Sequence, residues 1–451
     1  MPDDSRNIGT VRKSYFWHPK AHPAEMIAEP PRLIARAEDV HIVDGDGNRL
    51  LDACAGLWNV NLGYSAAPVK AAIAAQLDVL PYYSSFRGST NQPAEELARM
   101  LIEEWFHPED MARVFFTLGG SDSVETALRL ARQYWKVMKA YDRYKYISLK
   151  KGYHGTHFGG DSVSGGTAAR RSYEPLLPGC YHVATPNPYR NPFDEQDVEK
   201  LGERCARMLE EEIVFQGPDT VAAFIAEPVM GAGGIVVPPA NFWPRVREIC
   251  DKYGVLLIAD EVVTAYGRTG FECGSRAWGV KPDMMCTAKA ITSGYFPLGA
   301  VMINSRIASA FENSPDPIGT IAHGYTYSGH PVGCAAGIAA LKMTRELRVW
   351  ENAKIRGEQL AIGLQKLKQK HGLVGDVRSK GLMAGIEIVT DRKSKTPADK
   401  KTMGRIFNGA IAAGVMIRPM ENNLILSPPL IVDEGHVEQI LGALDAGLSV
   451  G

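Results

Sequence analysis

The sequence predicts an α/β protein: a large domain on a mostly parallel central sheet, and a smaller α+β domain assembled from both ends of the chain. Three observations lead there. From about Ala66 onward, helical and strand-like segments alternate. The strand-like segments are short, almost wholly apolar runs, the pattern of strands covered on both faces. Each run is followed by glycine or by a polar or charged residue. Those residues gather at the carboxyl ends of the strands, where open parallel sheets bind ligands.

Taken in order, the runs are Val114–Leu118, Tyr146–Leu149, Val221–Ala226, Val255–Ala259 and Met284–Thr287. After them come Gly119-Gly120-Ser121-Asp122, Gly152-Tyr153-His154-Gly155, Glu227-Pro228, Asp260-Glu261 and Lys289. Upstream, Asp44-Gly45-Asp46-Gly47 has the composition of a hairpin turn between two short strands. Beyond Pro331 the text reads as a helix over Gly333–Glu346, a charged helical stretch, and strands at Gly385–Thr390 and Asn423–Leu426. The expected division is residues 1–60 in the small domain, 61–330 in the large one, and 331–451 completing the small one.

Bulk composition narrows the function class. Lys and Arg total 50 against 51 Asp and Glu, so no basic excess exists to neutralise a phosphate backbone, and nucleic acid is not an expected partner. The seven cysteines are scattered and never form a CxxC pair, which argues against a disulfide framework and against a metal site. No apolar stretch is long enough to span a bilayer, and the polar start lacks an apolar signal core. A cytoplasmic small-molecule enzyme fits this balance.

Three segments carry chemistry. In FFTLGGSDSVETALRLARQYW, Gly119-Gly120 permit a tight turn and Ser121-Asp122-Ser123 supply N-cap groups. Val124, Ala127, Leu128, Ala131 and Trp135 recur on one helical face. A strand, a glycine turn and a helix N-terminus make an anion site. In GVLLIADEVVTAYGRTG, Asp260 ends an apolar strand, where an unpaired carboxylate is costly to bury, so a cation should face it. A protonated pyridine nitrogen would serve. In PDMMCTAKAITSGYFPLGA, Lys289 leaves a buried strand with no acid nearby in sequence. Desolvation lowers a lysine's pKa and makes it a nucleophile or Schiff-base former. Tyr153 is an aromatic placed to lie against a flat ring, with His154 to fix it, and Thr326 could offer a hydroxyl to a phosphate. Each segment alone also allows a plainer reading: a capped helix, an aspartate capping a turn, a lysine in water.

Their combination and order are specific. GGSDSVETALRLAR, GYHG, AEPVMGAGG, IADEVVTAYGRTG, CTAKAI and YTYSGHPVGCAA together resemble class III (omega) aminotransferases, from about Trp17 to the C-terminus. The likeness is strongest to amine:pyruvate and omega-amino acid:pyruvate transaminases. It implies the aspartate-aminotransferase-like fold (PLP fold type I) and pyridoxal 5′-phosphate (PLP) as cofactor. It further implies that Lys289 holds PLP as a Schiff base and acts as general acid and base, with Asp260 paired to the pyridinium nitrogen. Val262 and Tyr153 would flank the ring. Gly120, Ser121 and Asp122 would hold the phosphate, Glu227 would lie near cofactor and substrate, and His154 beside Tyr153. Thr326 would reach the phosphate of a neighbouring subunit, which implies a homodimer with shared sites, or a pair of dimers.

For substrate, the resemblance points to an amine donor and a 2-oxo acid acceptor, pyruvate first. Trp58 would line the pocket, Phe86 would add an apolar wall, and Arg418 would clamp the acceptor's carboxylate by bidentate pairing. Arg418 could instead be a surface residue, and Trp58 a core one. Arg87 has no assigned role. Alternative donors are 4-aminobutyrate, taurine, ornithine and polyamines, with 2-oxoglutarate as alternative acceptor; decarboxylation, racemisation and aminomutase chemistry are more distant. A nicotinamide oxidoreductase is disfavoured because no GxGxxG follows the first strand, and GxxxxGK, HExxH and GxSxG are absent too.

Overall fold

The computed structural model describes residues 15–315 and 317–451. Residues 1–14 of the expected N-terminal segment lie outside the described residues. Seven strands form the central sheet: β1 Met111–Thr117, β2 Lys145–Leu149, β3 Cys180–Val183, β4 Val221–Ala226, β5 Leu256–Asp260, β6 Met284–Thr287 and β7 Gly299–Asn304. Their spatial order is β1-β7-β6-β5-β4-β2-β3. The neighbours from β6 to β3 pair in parallel, whereas β7 runs antiparallel to both β1 and β6.

Alternate residues of the inner strands face two layers of helices. Ile225 and Ile258 pack with Val124, Leu128 and Ala131 of the helix Gly120–Val137. Phe224 and Leu257, one residue earlier on the same strands, pack with Leu201, Leu209 and Trp243 of the helices Val198–Gln216 and Phe242–Tyr253. Burial on both sides explains why these strands read as continuous apolar runs. The sequence reading omits β3 and β7. In β3, Cys180, Tyr181 and His182 are only half-buried, so no apolar run marks it. β7 is fully apolar over Gly299–Ile303, and Ser293-Gly294 and Pro297 separate it from Lys289, so an apolar run with turn residues before it does mark this strand.

Two smaller sheets carry the ends of the chain. Ile34–Glu38, His41–Asp44 and Arg49–Asp52 form an antiparallel meander, and Val415–Met416 adds to it in parallel, with Val415 opposite Leu51. The expected hairpin is there: the Asp44 carboxylate accepts from the amides of Asp46 and Asn48, and Gly47 takes a left-handed φ of +86°. The other sheet joins Val374–Ser379, Ala384–Asp391, Asn423–Leu426 and Arg418–Met420, with Thr396–Pro397 at the side. Among the described residues, no helix is long and apolar enough to cross a membrane.

Arg268 fastens these units together. Its buried guanidinium donates to the Asn61 side chain and to the carbonyls of Leu382 and Pro428. Burial pushes its pKa down to about 9, opposed by Asp52. Arg268→Ala strands three acceptors without donors. It is expected to cost about 2–4 kcal/mol, read as a lower thermal midpoint in differential scanning calorimetry; an unchanged midpoint contradicts the role.

Candidate active site

The helix Gly120–Val137 opens with Gly119 in fully extended backbone as its N-cap and with no side-chain cap. This corrects the expectation that Ser121-Asp122-Ser123 cap the helix. The Ser123 hydroxyl turns back to Thr117 (2.7 Å), to the Gly119 carbonyl and to the Thr287 carbonyl. The Asp122 carboxylate bonds His157 (2.7 Å) and the Leu118 amide. Uncapped, the first-turn amides and the positive end of the helix dipole stay open to an anion. The space is shaped as well. A Cβ added to Gly120 would stand 2.9 Å from Val262 Cγ1, and one added to Gly155 would stand 2.7 Å from Ser121 Oγ. Gly155 has φ +105°, so a side chain there would be strained as well as crowded.

Asp260, last residue of β5, is 4 % exposed. One carboxylate oxygen meets His154 Nδ1 at 2.8 Å, and the other accepts the Val262 amide at 3.2 Å. His154 therefore does not serve Tyr153, as the sequence suggested, but bonds the acid itself. Its other ring nitrogen, Nε2, is buried with no hydrogen-bond partner.

Glu227, just past β4, accepts the amides of Gly231 (2.8 Å) and Tyr153 (3.1 Å). Burial pushes its pKa up to about 7; His154 and the two amides oppose the shift and Asp260 adds to it. Lys289 follows β6 with a left-handed φ of +50°. Burial pulls its ammonium down to about 8, while Asp260 and Glu227 hold it up and Arg418 lowers it further. The Lys289 ammonium lies 5.2 Å from the Trp58 ring centre, and the Arg418 guanidinium 5.5 Å from the same ring. Both cations thus lie against the Trp58 ring.

A loop of left-handed residues presents that tryptophan: Ala55 (φ +45°), Gly56 (+64°) and Trp58 (+58°). Asp52 holds the loop by accepting the Cys54 amide (2.8 Å), the Gly56 amide (2.7 Å) and the Tyr64 hydroxyl (2.6 Å). The sequence reading did not single out Asp52 or Tyr64. An Asx-type aspartate before a glycine was the available signal.

Phe86, Arg87 and Thr326 fall elsewhere. Phe86 is 54 % exposed and its ring tip would touch a Cβ on Gly324. Thr326 is exposed on the loop that carries Gly324, where its carbonyl accepts the Tyr82 hydroxyl at 2.7 Å. Among the described residues it makes no hydrogen bond to the Gly120–Ser121 turn. Arg87 is exposed. Tyr325, which the sequence reading passed over, ties this loop to the helix through Thr126 (3.3 Å) and the Asp122 carbonyl (3.2 Å).

An open helix N-terminus, a glycine-lined slot, a buried acid at one end and a desolvated amine at the other fit a flat phosphorylated pyridine aldehyde. Comparison with known proteins agrees. The family model for class III aminotransferases matches residues 24–448. The chain is a class III aminotransferase. It is a PLP-dependent transaminase of fold type I.

The chain is 37% identical over 414 residues to a putrescine–pyruvate aminotransferase of Pseudomonas aeruginosa, covering 91% of this chain and 89% of that protein. It is 36% identical to a mitochondrial gamma-aminobutyrate transaminase of Oryza sativa subsp. indica, covering 91% and 80%. A PLP-bound amine transaminase from an uncultivated Pseudomonas species superposes with a TM-score of 0.96 at 48% identity, over 97% of this chain and 99% of that one. An omega transaminase of Pseudomonas jessenii in complex with PMP gives 0.93 at 35% identity, over 96% of both chains.

In cofactor-free protein, covalent capture of an aldehyde by Lys289 is expected to accelerate as pH rises through about 8, because the neutral amine is the reacting form. Glu227→Gln removes one of two carboxylates that favour the ammonium, so the midpoint should move to lower pH. Stopped-flow absorbance reads both, and a midpoint near the ordinary value of 10.5 contradicts the assignment.

Proposed function

We propose that this transaminase moves the amino group of an amine or omega-amino acid to pyruvate, with Lys289 and Asp260 as its catalytic pair. The observation that carries the reading is the placement of the Lys289 ammonium. It is desolvated, coupled to the buried Asp260, and faces Trp58 beside Arg418. When bound, the cofactor supplies an aldehyde that takes up the donor's nitrogen and a ring that withdraws electrons from the reacting carbon.

The chain's residues do the rest. Gly120, Ser121 and Asp122 hold the phosphate at the helix N-terminus, using main-chain amides and the Ser121 hydroxyl. Asp260 keeps the pyridine nitrogen protonated, and the bond from His154 fixes the carboxylate's orientation. Val262 and Tyr153 bracket the ring. Lys289 Nζ, partly neutral near pH 8, would remove the proton from the donor's carbon and, in the second half-reaction, deliver a proton to the carbon of the acceptor. Glu227, close to half-protonated near neutrality, hydrogen-bonds the strap that carries Tyr153. Trp58 forms one wall of the pocket, and Arg418 clamps the acceptor's carboxylate with a forked pair of donors. Among the described residues the buried Arg418 Nε has no hydrogen-bond partner, so its donor is available to a carboxylate.

The putrescine–pyruvate relative supports pyruvate as acceptor, and the gamma-aminobutyrate relative supports 4-aminobutyrate as a donor. Phe86 and Thr326 sit on two neighbouring exposed loops, and a second copy of the chain in a cytoplasmic homodimer would bring their counterparts to the pocket. The proposed division of the chain keeps residues 61–330 as the large domain, with 1–60 and 331–451 forming the small one.

A donor panel with pyruvate and with 2-oxoglutarate tests the reading. Alanine should form with several amines and glutamate with few; glutamate alone overturns the choice of acceptor. Lys289→Ala should lose about 10³-fold in transamination, and Asp260→Ala should fall to a similar extent. Near-normal turnover in either variant contradicts the catalytic pair.

A further inference from the structure

One charged residue at the mouth has no part in the reading above. Lys20 comes from the N-terminal segment, and its ammonium lies 4.3 Å above the centre of the Tyr153 ring. Its position is built rather than incidental. The Ala21 amide bonds back to the His18 carbonyl, Lys20 takes a left-handed φ of +56°, and the helix Pro23–Ala28 starts at once with Pro23 at its first turn and His22 as its cap. This turn fixes where the chain passes Tyr153, whose own amide is anchored to Glu227.

The charges around Lys20 are unbalanced. Among the described residues it has no ion-pair partner. Burial lowers its pKa first and Arg418 next, while Asp161 alone opposes them. Lys20 and Arg418 are thus two cations close enough to repel, one lying over the Tyr153 ring and the other over the Trp58 ring. Arg418 Nε is buried and unpartnered. A carboxylate placed between them would relieve the repulsion and take donors from both, whereas a second ammonium would meet two like charges.

We propose that Lys20 is a specificity-determining residue that selects omega-amino acids, holding the donor's distal carboxylate together with Arg418 and disfavouring diamines. This rests on the reading of Trp58 and Arg418 as pocket residues.

The test uses the PLP-loaded enzyme with pyruvate and three donors of equal length: 4-aminobutyrate, butylamine and 1,4-diaminobutane. Lys20→Met keeps the aliphatic stem over Tyr153 and removes the charge. The ratio of KM for 4-aminobutyrate to KM for butylamine should rise about fivefold, the worth of one partly exposed ion pair. The ratio for 1,4-diaminobutane to butylamine should fall, with kcat ratios unchanged. Lys20→Glu should push both ratios further. Equal changes for all three donors, or none, overturn the proposal.

A calorimetric titration of the loaded enzyme with butanoate, which has the carboxylate but no transferable nitrogen, separates this proposal from the pocket reading. If Arg418→Ala leaves butanoate binding unchanged, the pocket reading fails. If Lys20→Met leaves it unchanged, the role of Lys20 fails, whatever the enzyme does with the three donors.

Discussion

A carboxylate at the end of an inner strand is the constraint on which the active centre depends. Asp260 closes β5, which is wholly buried, and among the described residues no lysine or arginine forms an ion pair with it. Its charge is met by the His154 ring and the Val262 amide, and from a distance by Lys289 at the exit of the neighbouring strand. Parallel pairing of β5 with β6 puts Asp260 opposite Cys286. The strand ends at Thr287, so Lys289 emerges just beyond the acid. Moving the register by one residue would turn the lysine to the other face of the sheet. The pocket's electrostatics are therefore fixed by strand pairing before any ligand arrives.

Desolvation then divides the labour among three groups. Glu227 is pushed up to about 7 and Lys289 down to about 8, so both change charge close to neutrality. A surface carboxylate or lysine would stay charged there and could not exchange protons readily. Glu261 shows the contrast: adjacent to Asp260 and fully buried, it accepts from Ser275, Thr264 and the amide of Gly274, and works only to hold the loop 264–275. Neighbouring acids in one motif have separate tasks because one faces the pocket and the other faces backbone donors.

Much of this was legible in the sequence. Apolar runs with polar endings located β1, β2, β4, β5 and β6 to within a few residues, since burial on both faces leaves a compositional trace. Asp260 and Lys289 stood out because charged residues at such strand ends are unusual. What depended on long-range paths was not legible. No local signal says that His154 bonds Asp260, or that a lysine near the start of the chain lies over Tyr153. The cap of the Gly120 helix was misread because serine and aspartate are good caps in general. Here glycine takes that place and the Ser123 hydroxyl turns inward. Phe86 was expected at the pocket and Thr326 at the phosphate of a neighbouring subunit, and a single chain carries them on two separate exposed loops.

The parallel pairing of Val415–Met416 with Leu51–Asp52 has a mechanical consequence. The Ala53 amide bonds the Met416 carbonyl, and the Ser427 amide bonds the Ala53 carbonyl. Trp58 and Arg418, from opposite ends of the polypeptide, thereby ride on a common frame. Any rocking of that frame against the central sheet would shift wall and clamp in step, preserving their mutual spacing while altering their distance from Lys289. Selectivity and reach are in this way geared to one another, and a graft that exchanged only one terminus would break the gearing.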